Sequence, residues 1–257
     1  GFGIPFYFYD AFMNFNELNQ KVQQLIDNVS LREDPDALEN ALKTLRDDIK
    51  DGELPTWMNA ALTELQNAFP IGTSIRCRSS TNNEDLQGFS GAGLYDSYTH
   101  HPVEGHLSKS VKQVYASLWN YRAYDEREFY RIDHQAAAMG VLVHENFSDE
   151  QANGVAVTTD PFYQTEDNFY LNAQVGENLV TNPEGESVPE EVLLNKSNGR
   201  DFTMVRPSNR VPGGQQILTK PLLSDLQIVL KRIDATFRTQ YKVLPWKKTF
   251  AIEVEFK

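Results

Sequence analysis

The sequence predicts a mixed α+β chain whose helices crowd the first half and whose strands crowd the second. Three observations predict it. Before residue 136, apolar residues recur mostly at helical spacing. From residue 139 the rhythm changes to short β-prone runs separated by polar turns. Apolar residues make up 40% of the 257, aromatic ones 11%, which is enough for a sizeable core.

Taken in order, the aromatic-rich residues 4–9 read as a buried strand. Phe15, Leu18, Val22, Leu25 and Ile26 then recur at helical spacing, as do Leu38, Ala41, Leu42 and Leu45. The second of these helices should end at Gly52, with Pro55 opening a third. Residues 73–77 read as a strand feeding a loop, and residues 94–100 as strand again. The stretch 107–136 reads as one long helix with Val111, Val114, Tyr115, Leu118 and Trp119 on one face. In the second half "MGVLVHE", "NGVAVTT", "NFYLNAQ" and "SVPEEVLLN" are the expected strands. A helix over roughly 221–240 carries Leu222, Leu226, Val229, Leu230, Ile233 and Phe237, and the chain closes on the alternating strand "TFAIEVEFK". The expected division is 1–136 and 137–257, two lobes facing one another.

Composition narrows the function. A net charge of −12 argues against a broad nucleic-acid surface, which needs a basic footprint. It leaves room for one small anion held by a few cations and amide dipoles. The single cysteine, Cys77, permits no internal disulfide and fits a reducing, cytoplasmic compartment; as a residue it reads as a small buried strand side chain. The apolar opening stops at Asp10, too short to span a bilayer or act as a secretory signal, so no membrane partner is expected. None of the five histidines has zinc-site spacing, and satisfied polar roles are expected for them.

The stretch "CRSSTNNEDLQGFSGAGLYDS" (77–97) is the one least like scaffolding. Gly91 and Gly93 allow positive φ and would leave amide N–H groups uncovered, a concavity suited to phosphate oxygens. Arg78, just upstream, supplies a guanidinium that can fork onto two of them. By pattern alone a plain flexible loop is the commoner outcome. The closing strand adds an independent clue. Strand alternation puts Glu253 and Glu255 on one side and Val254 and Phe256 on the other. Paired carboxylates of this kind suit Mg²⁺, with water and nucleotide phosphates completing its shell; taken alone, a solvated strand face is the commoner reading.

These residues resemble a known family. "RSSTNNEDLQGFSGAGLYDSY" is similar to the ATP-binding domain shared by phosphoenolpyruvate synthase, pyruvate phosphate dikinase, rifampin phosphotransferase and the plant glucan water dikinases. The resemblance continues in "GIPFYFYDAF", "VYASLWNYRA", "NGVAVTTDP" and "IEVEF", and so covers nearly the whole chain. It implies an ATP-grasp-like fold with ATP between two lobes. It also implies Arg78 as the phosphate-contacting, catalytic arginine and Ser90, Gly91, Ala92 and Gly93 as the phosphate-covering loop. Val143, His144, Glu145 and Asn146 become the hinge whose backbone meets the adenine. Glu177, in "VGEN", matches the family's Gly-Leu-Gly-Glu turn near the nucleotide, and Glu253 and Glu255 take the metal. Glu253 stands where aspartate is usual, and His144 and Asn146 replace the customary Gln and Met.

The family's glycine-lysine segment and its Gln-x-Arg strand have no counterpart in these residues, so the chain reads as an excised domain of a larger phosphotransferase. The expected activity is transfer of a phosphoryl group from ATP, with Mg²⁺, to a histidine on a carrier domain of the parent protein, which would also hold an acceptor-binding domain. The chain alone is expected to be inactive. The alternative is a nucleotide-sensing or scaffolding module that keeps the fold without the chemistry. A small-molecule ligase of the broader ATP-grasp group suits the metal strand but not the Arg-Ser-Ser loop.

Overall fold

The computed structural model describes residues 1–86, 89–91, 93–147, 150–176, 180, 186–244 and 246–257, leaving aside the side chains of Asp85 and Ser90. The chain forms two compact units, Gly1–Asn146 and Phe147–Lys257. Both mix helix and sheet, as the α+β expectation requires.

The first unit opens with β1 (Phe2–Ile4), α1 (Phe6–Phe15), α2 (Leu18–Asp27), α3 (Val29–Arg32), α4 (Pro35–Asp51) and α5 (Thr56–Asn67). The run 4–9, expected as strand, is therefore mostly helix. Pro5 caps the turn into α1, and Tyr9, Phe12 and Met13 are buried at i, i+3 and i+4, a spacing only a helix can bury on one side. The next two expected helices hold: Leu18, Val22 and Leu25 are buried on α2, and Leu38, Leu42, Leu45 and Ile49 on α4, which stops at Gly52. Asp34 caps α4 by accepting from the Ala37 amide at 3.0 Å.

β2 (Ile75–Thr81) follows, then the hairpin β3 (Asp85–Leu86) and β4 (Phe89–Ser90), then β5 (Tyr98–His100), shorter than the strand expected over 94–100 because Leu94 and Tyr95 turn inward and are buried. The helix expected over 107–136 is two helices, α6 (Ser108–Ser117) and α7 (Tyr121–Phe129). The break has a tertiary cause. The carbonyls of Leu118 and Trp119 accept from Arg127 Nη2 at 2.8 Å and Arg46 Nη1 at 2.9 Å, so the end of α6 is capped by arginines rather than by another helical turn. The face predicted from Val111 to Trp119 is buried as expected.

β6 (Met139–Glu145) completes an antiparallel sheet of order β1-β6-β2-β5. The expected boundary after residue 136 assigned this strand to the second lobe. It pairs with β1 and β2 along its length and so belongs to the first unit, whose limit is Asn146.

The second unit is an antiparallel sheet of order β10-β9-β8-β7-β11, built from β7 (Ala152–Val157), β8 (Asn168–Val175), β9 (Glu190–Asn195), β10 (Phe202–Arg206) and β11 (Glu253–Phe256). One face packs on α8 (Lys220–Gln240), with Ala156, Leu171, Val192 and Val254 in a single cross-strand row against the core. α8 turns Leu223 and Leu230 inward; Leu222 and Val229, expected on the apolar face, are half exposed. β10 was not expected, since it lacks a buried alternation. No helix among the described residues is long and apolar enough to cross a membrane.

Candidate functional site

Strand β2 buries Ile75 and Cys77 and turns Arg76 and Arg78 to the other side. Burial pushes the Cys77 thiol up to about 12, with Arg76 opposing weakly, so it is an inert core group as the sequence suggested. Register pairs Arg76 with His144 and Arg78 with Leu142, which makes His144 the diagonal neighbour of Arg78. Arg78 Nε donates to His144 Nε2 at 3.1 Å. His144 Nδ1 lies 2.7 Å from the Glu145 carbonyl, which can only accept, so the ring proton is on Nδ1 and Nε2 is free to accept from Arg78. The structure thus joins two residues for which the family resemblance implies separate roles.

Arg76 Nη1 donates to Thr99 Oγ1 at 2.9 Å, and Thr99 donates to Asn146 Oδ1 at 3.3 Å. Val143 is fully buried opposite Cys77, so only its main chain can meet a ligand; Glu145 is exposed. Asn146 extends the strand pairing through its amide to the Ser74 carbonyl at 2.8 Å.

The glycine loop differs from expectation in one respect. Gly93 has φ +73° and open space around it, as predicted. Gly91 does not take positive φ, and its amide is already donated to the Glu84 carbonyl at 2.6 Å. Glycine is required there for close approach, because a Cβ would lie 2.9 Å from Glu84 Cα. Ala92 and the Ser90 side chain lie outside the described residues, as does Glu177.

Two loop anchors escaped the sequence reading. Asn82 clasps the start of β6 by donating to the Ala136 carbonyl at 2.7 Å and accepting from the Ala138 amide at 2.9 Å. Asn83 is buried and accepts from the Tyr95 hydroxyl at 3.1 Å. The available signal was the Asn-Asn pair itself, a turn composition just where β2 must end. Of the other histidines, His100 meets Ser110 Oγ at 3.1 Å in a buried contact, and the buried His134 meets the exposed Glu128 at 3.0 Å.

In the second unit Glu253 and Glu255 lie exposed on the sheet face opposite α8, with Val254 and Phe256 packed toward the helix, as the alternation predicted. Register sets Glu255, Val155, Asn172 and Glu191 in one row, and Glu253, Val157, Tyr170 and Leu193 in the next. Glu191 accepts from Tyr163 at 2.9 Å and pairs with Arg206 at 3.2 Å. Burial first, and then the Glu191 charge, raise the Tyr170 hydroxyl above its usual range, so it stays protonated. Two exposed carboxylates, Glu253 and Glu255, present oxygen donors on this face. Such a donor set fits a hard divalent cation.

Comparison with known proteins identifies the family. The family described as pyruvate phosphate dikinase, AMP/ATP-binding domain, matches residues 1–239. A "Probable phosphoenolpyruvate synthase" of Methanocaldococcus jannaschii is 29% identical over 73% of the chain and 16% of its own length. A phosphoenolpyruvate synthase of Aeropyrum pernix is 26% identical over 68% of the chain and 22% of its own length. A rifampicin phosphotransferase of Bacillus subtilis is 27% identical over 64% of the chain and 19% of its own length. The chain thus spans about a fifth of the curated relatives it matches.

Proposed function

Since the chain belongs to the pyruvate phosphate dikinase AMP/ATP-binding domain family, we propose that it is the ATP- and Mg²⁺-binding part of a larger dikinase-type phosphotransferase with an ATP-grasp-like fold. The observation that carries this reading is the family match over 1–239, with Arg78 oriented by His144 on the strand that leads into the glycine loop. In that reading Arg78 contacts the ATP phosphates, and the segment Ser90–Gly93 covers them. The main chain of Val143–Asn146 meets the adenine, Glu177 lies near the nucleotide, and Glu253 and Glu255 hold Mg²⁺. The cation would offset phosphate charge and fix the phosphate geometry. The protein's own contribution is positioning: a strand-held guanidinium whose Nε is fixed by a neutral imidazole, and a loop pinned at Asn82 and Asn83.

The phosphoryl acceptor is a histidine on a carrier domain of the parent protein, which also binds the final acceptor and works in the cytoplasm. None of the five histidines here lies in a glycine-rich carrier motif, so the chain alone carries no acceptor. Calorimetry with ATP and Mg²⁺ tests the central assignment. A desolvated, charge-assisted contact is worth about 1.5–3 kcal/mol. Arg78→Ala should therefore weaken ATP binding about tenfold or more, at about 1.36 kcal/mol per decade. Equal affinities of the two proteins would remove Arg78 from the phosphate site.

A further inference from the structure

His144 stands in the hinge run of β6, yet its side chain serves Arg78 on β2. The contact works in one protonation state only. Arg78 Nε can only donate, here at 3.1 Å, so His144 Nε2 must bring a lone pair. The Glu145 carbonyl, 2.7 Å from Nδ1, takes the single proton of the neutral ring. A second proton has only Nε2 to go to. There it would meet the Arg78 N–H donor to donor and set an imidazolium against a guanidinium.

The other charged groups about the ring, among the described residues, offer Arg78 no substitute. Arg76 stands opposite His144 in the register, on the same strand face as Arg78. Gly1, with its α-amino group, lies alongside, where a Cβ would be 3.4 Å from His144 Cβ. Glu145, next on β6, projects to the other face of the strand. None of these groups can replace Nε2 as the acceptor for Arg78.

We propose that His144 is a positioning residue that makes nucleotide binding proton-dependent; this rests on the reading of Arg78 as the phosphate-contacting arginine. Only the neutral ring holds Arg78 in place for the ATP phosphates, so a proton on Nε2 and a phosphate on Arg78 exclude one another. The linkage is reciprocal: acid weakens ATP binding, and bound ATP opposes protonation of the ring. Imidazole is the side chain whose charge changes between about pH 5 and 8, which puts the effect in a physiological range.

The test is calorimetry of ATP binding with Mg²⁺ at about pH 8 and about pH 5.5, on the two sides of that range. The phosphates of ATP titrate as well, so the readout is how the ratio of the two affinities differs between variants. His144→Gln keeps an acceptor, Oε1, and removes the titrating ring. The unaltered chain should lose up to about tenfold more affinity in acid than His144→Gln loses, the worth of the Arg78 contact. At the higher pH His144→Gln should bind ATP more tightly than His144→Ala, which has no acceptor. Arg78→Ala should bind weakly throughout, with the same ratio as His144→Gln, because the proton then displaces nothing. An equal ratio in the unaltered chain and His144→Gln overturns the proton linkage. A ratio as large in Arg78→Ala as in the unaltered chain means that the ring acts on the nucleotide without Arg78, and overturns it too. In both cases Arg78 keeps its assignment as long as Arg78→Ala weakens binding at the higher pH. Undiminished binding by Arg78→Ala, or no binding by the unaltered chain, overturns the phosphate reading and the proposal with it. Should His144→Ala not fold, the ratios in the other three proteins decide.

Discussion

The glycine loop of the first unit and the carboxylate face of the second are positioned by different means. The loop hangs on point contacts: Asn82 to the start of β6, Asn83 to Tyr95, and the Gly91 amide to Glu84. The face hangs on strand register, which carries Glu253 and Glu255 as consecutive outward positions of β11 against β7. Point contacts can be removed one at a time with local effect. Register is shared by every residue of the strand, so a single misfit displaces all of them. The two regions should therefore respond to substitution on different scales.

The largest effect is expected at Gly154, opposite Phe256 in the β7–β11 pair. A Cβ there would lie 2.2 Å from Phe256 Cζ and 2.6 Å from the Asn172 carbonyl oxygen. The ring could swing aside, but the carbonyl is backbone. Overpacking of this kind costs about 1–3 kcal/mol. Gly154→Ala should lower the unfolding temperature by several degrees and release the β11 amides to hydrogen exchange. Native exchange at β11 in this variant would show that register is not what holds the face.

A middle-sized effect is expected at Asn82. Asn82→Ala leaves the Ala138 amide and the Ala136 carbonyl without their partner. Losing such bonds costs about 1–2 kcal/mol. The loss should appear as faster exchange over residues 81–95, with the β2–β6 pairing intact. If β2 and β6 also open, the loop is not held by point contacts and the contrast with the second unit collapses.

This contrast also explains what the sequence made legible. The outward set Glu253 and Glu255 follows from period-2 alternation, and the structure agrees. The stripes of α2 and α4 follow from helical period in the same way. What stayed hidden depends on partners far along the chain. Arg78 meets His144 only because β2 and β6 are adjacent in a given register. The break after α6 needs Arg46 and Arg127, which no local pattern reveals. Gly91 was rightly singled out, but for conformational freedom, whereas its need is for room beside Glu84. The aromatic run after Pro5 misled because aromatic content favours strand, while the residues that fix its period, Phe12 and Met13, lie beyond it.

The smallest effect concerns pH, and it separates the units by composition, since all five histidines precede residue 147. His134 is buried, stacked on Tyr124 with ring centroids 4.0 Å apart. Its Nδ1 accepts from Arg127 Nε at 3.2 Å, so its proton is on Nε2, donated to Glu128 at 3.0 Å. Burial holds the imidazole below its usual range, and the Arg127 charge adds to that; Glu128 and Asp133 pull the other way without prevailing. The sign follows. Between the lowered folded value and about 6.5 for the unfolded chain, the unfolded state binds more protons, so stability rises with pH across that window. The contribution is complete above about pH 6.5 and is lost as pH falls through the folded value. His134→Asn keeps an acceptor for Arg127 but does not titrate. The variant should be less stable than the unaltered chain at about pH 7.5, and the gap should narrow by about pH 5.5, on the two sides of the histidine range. Urea unfolding followed by fluorescence would measure both gaps, with Trp119, which lies 5.4 Å from the Arg127 guanidinium, reporting on this region of the first unit. A gap that does not change with pH would mean that His134 does not titrate on unfolding, and the two units would no longer differ in this respect.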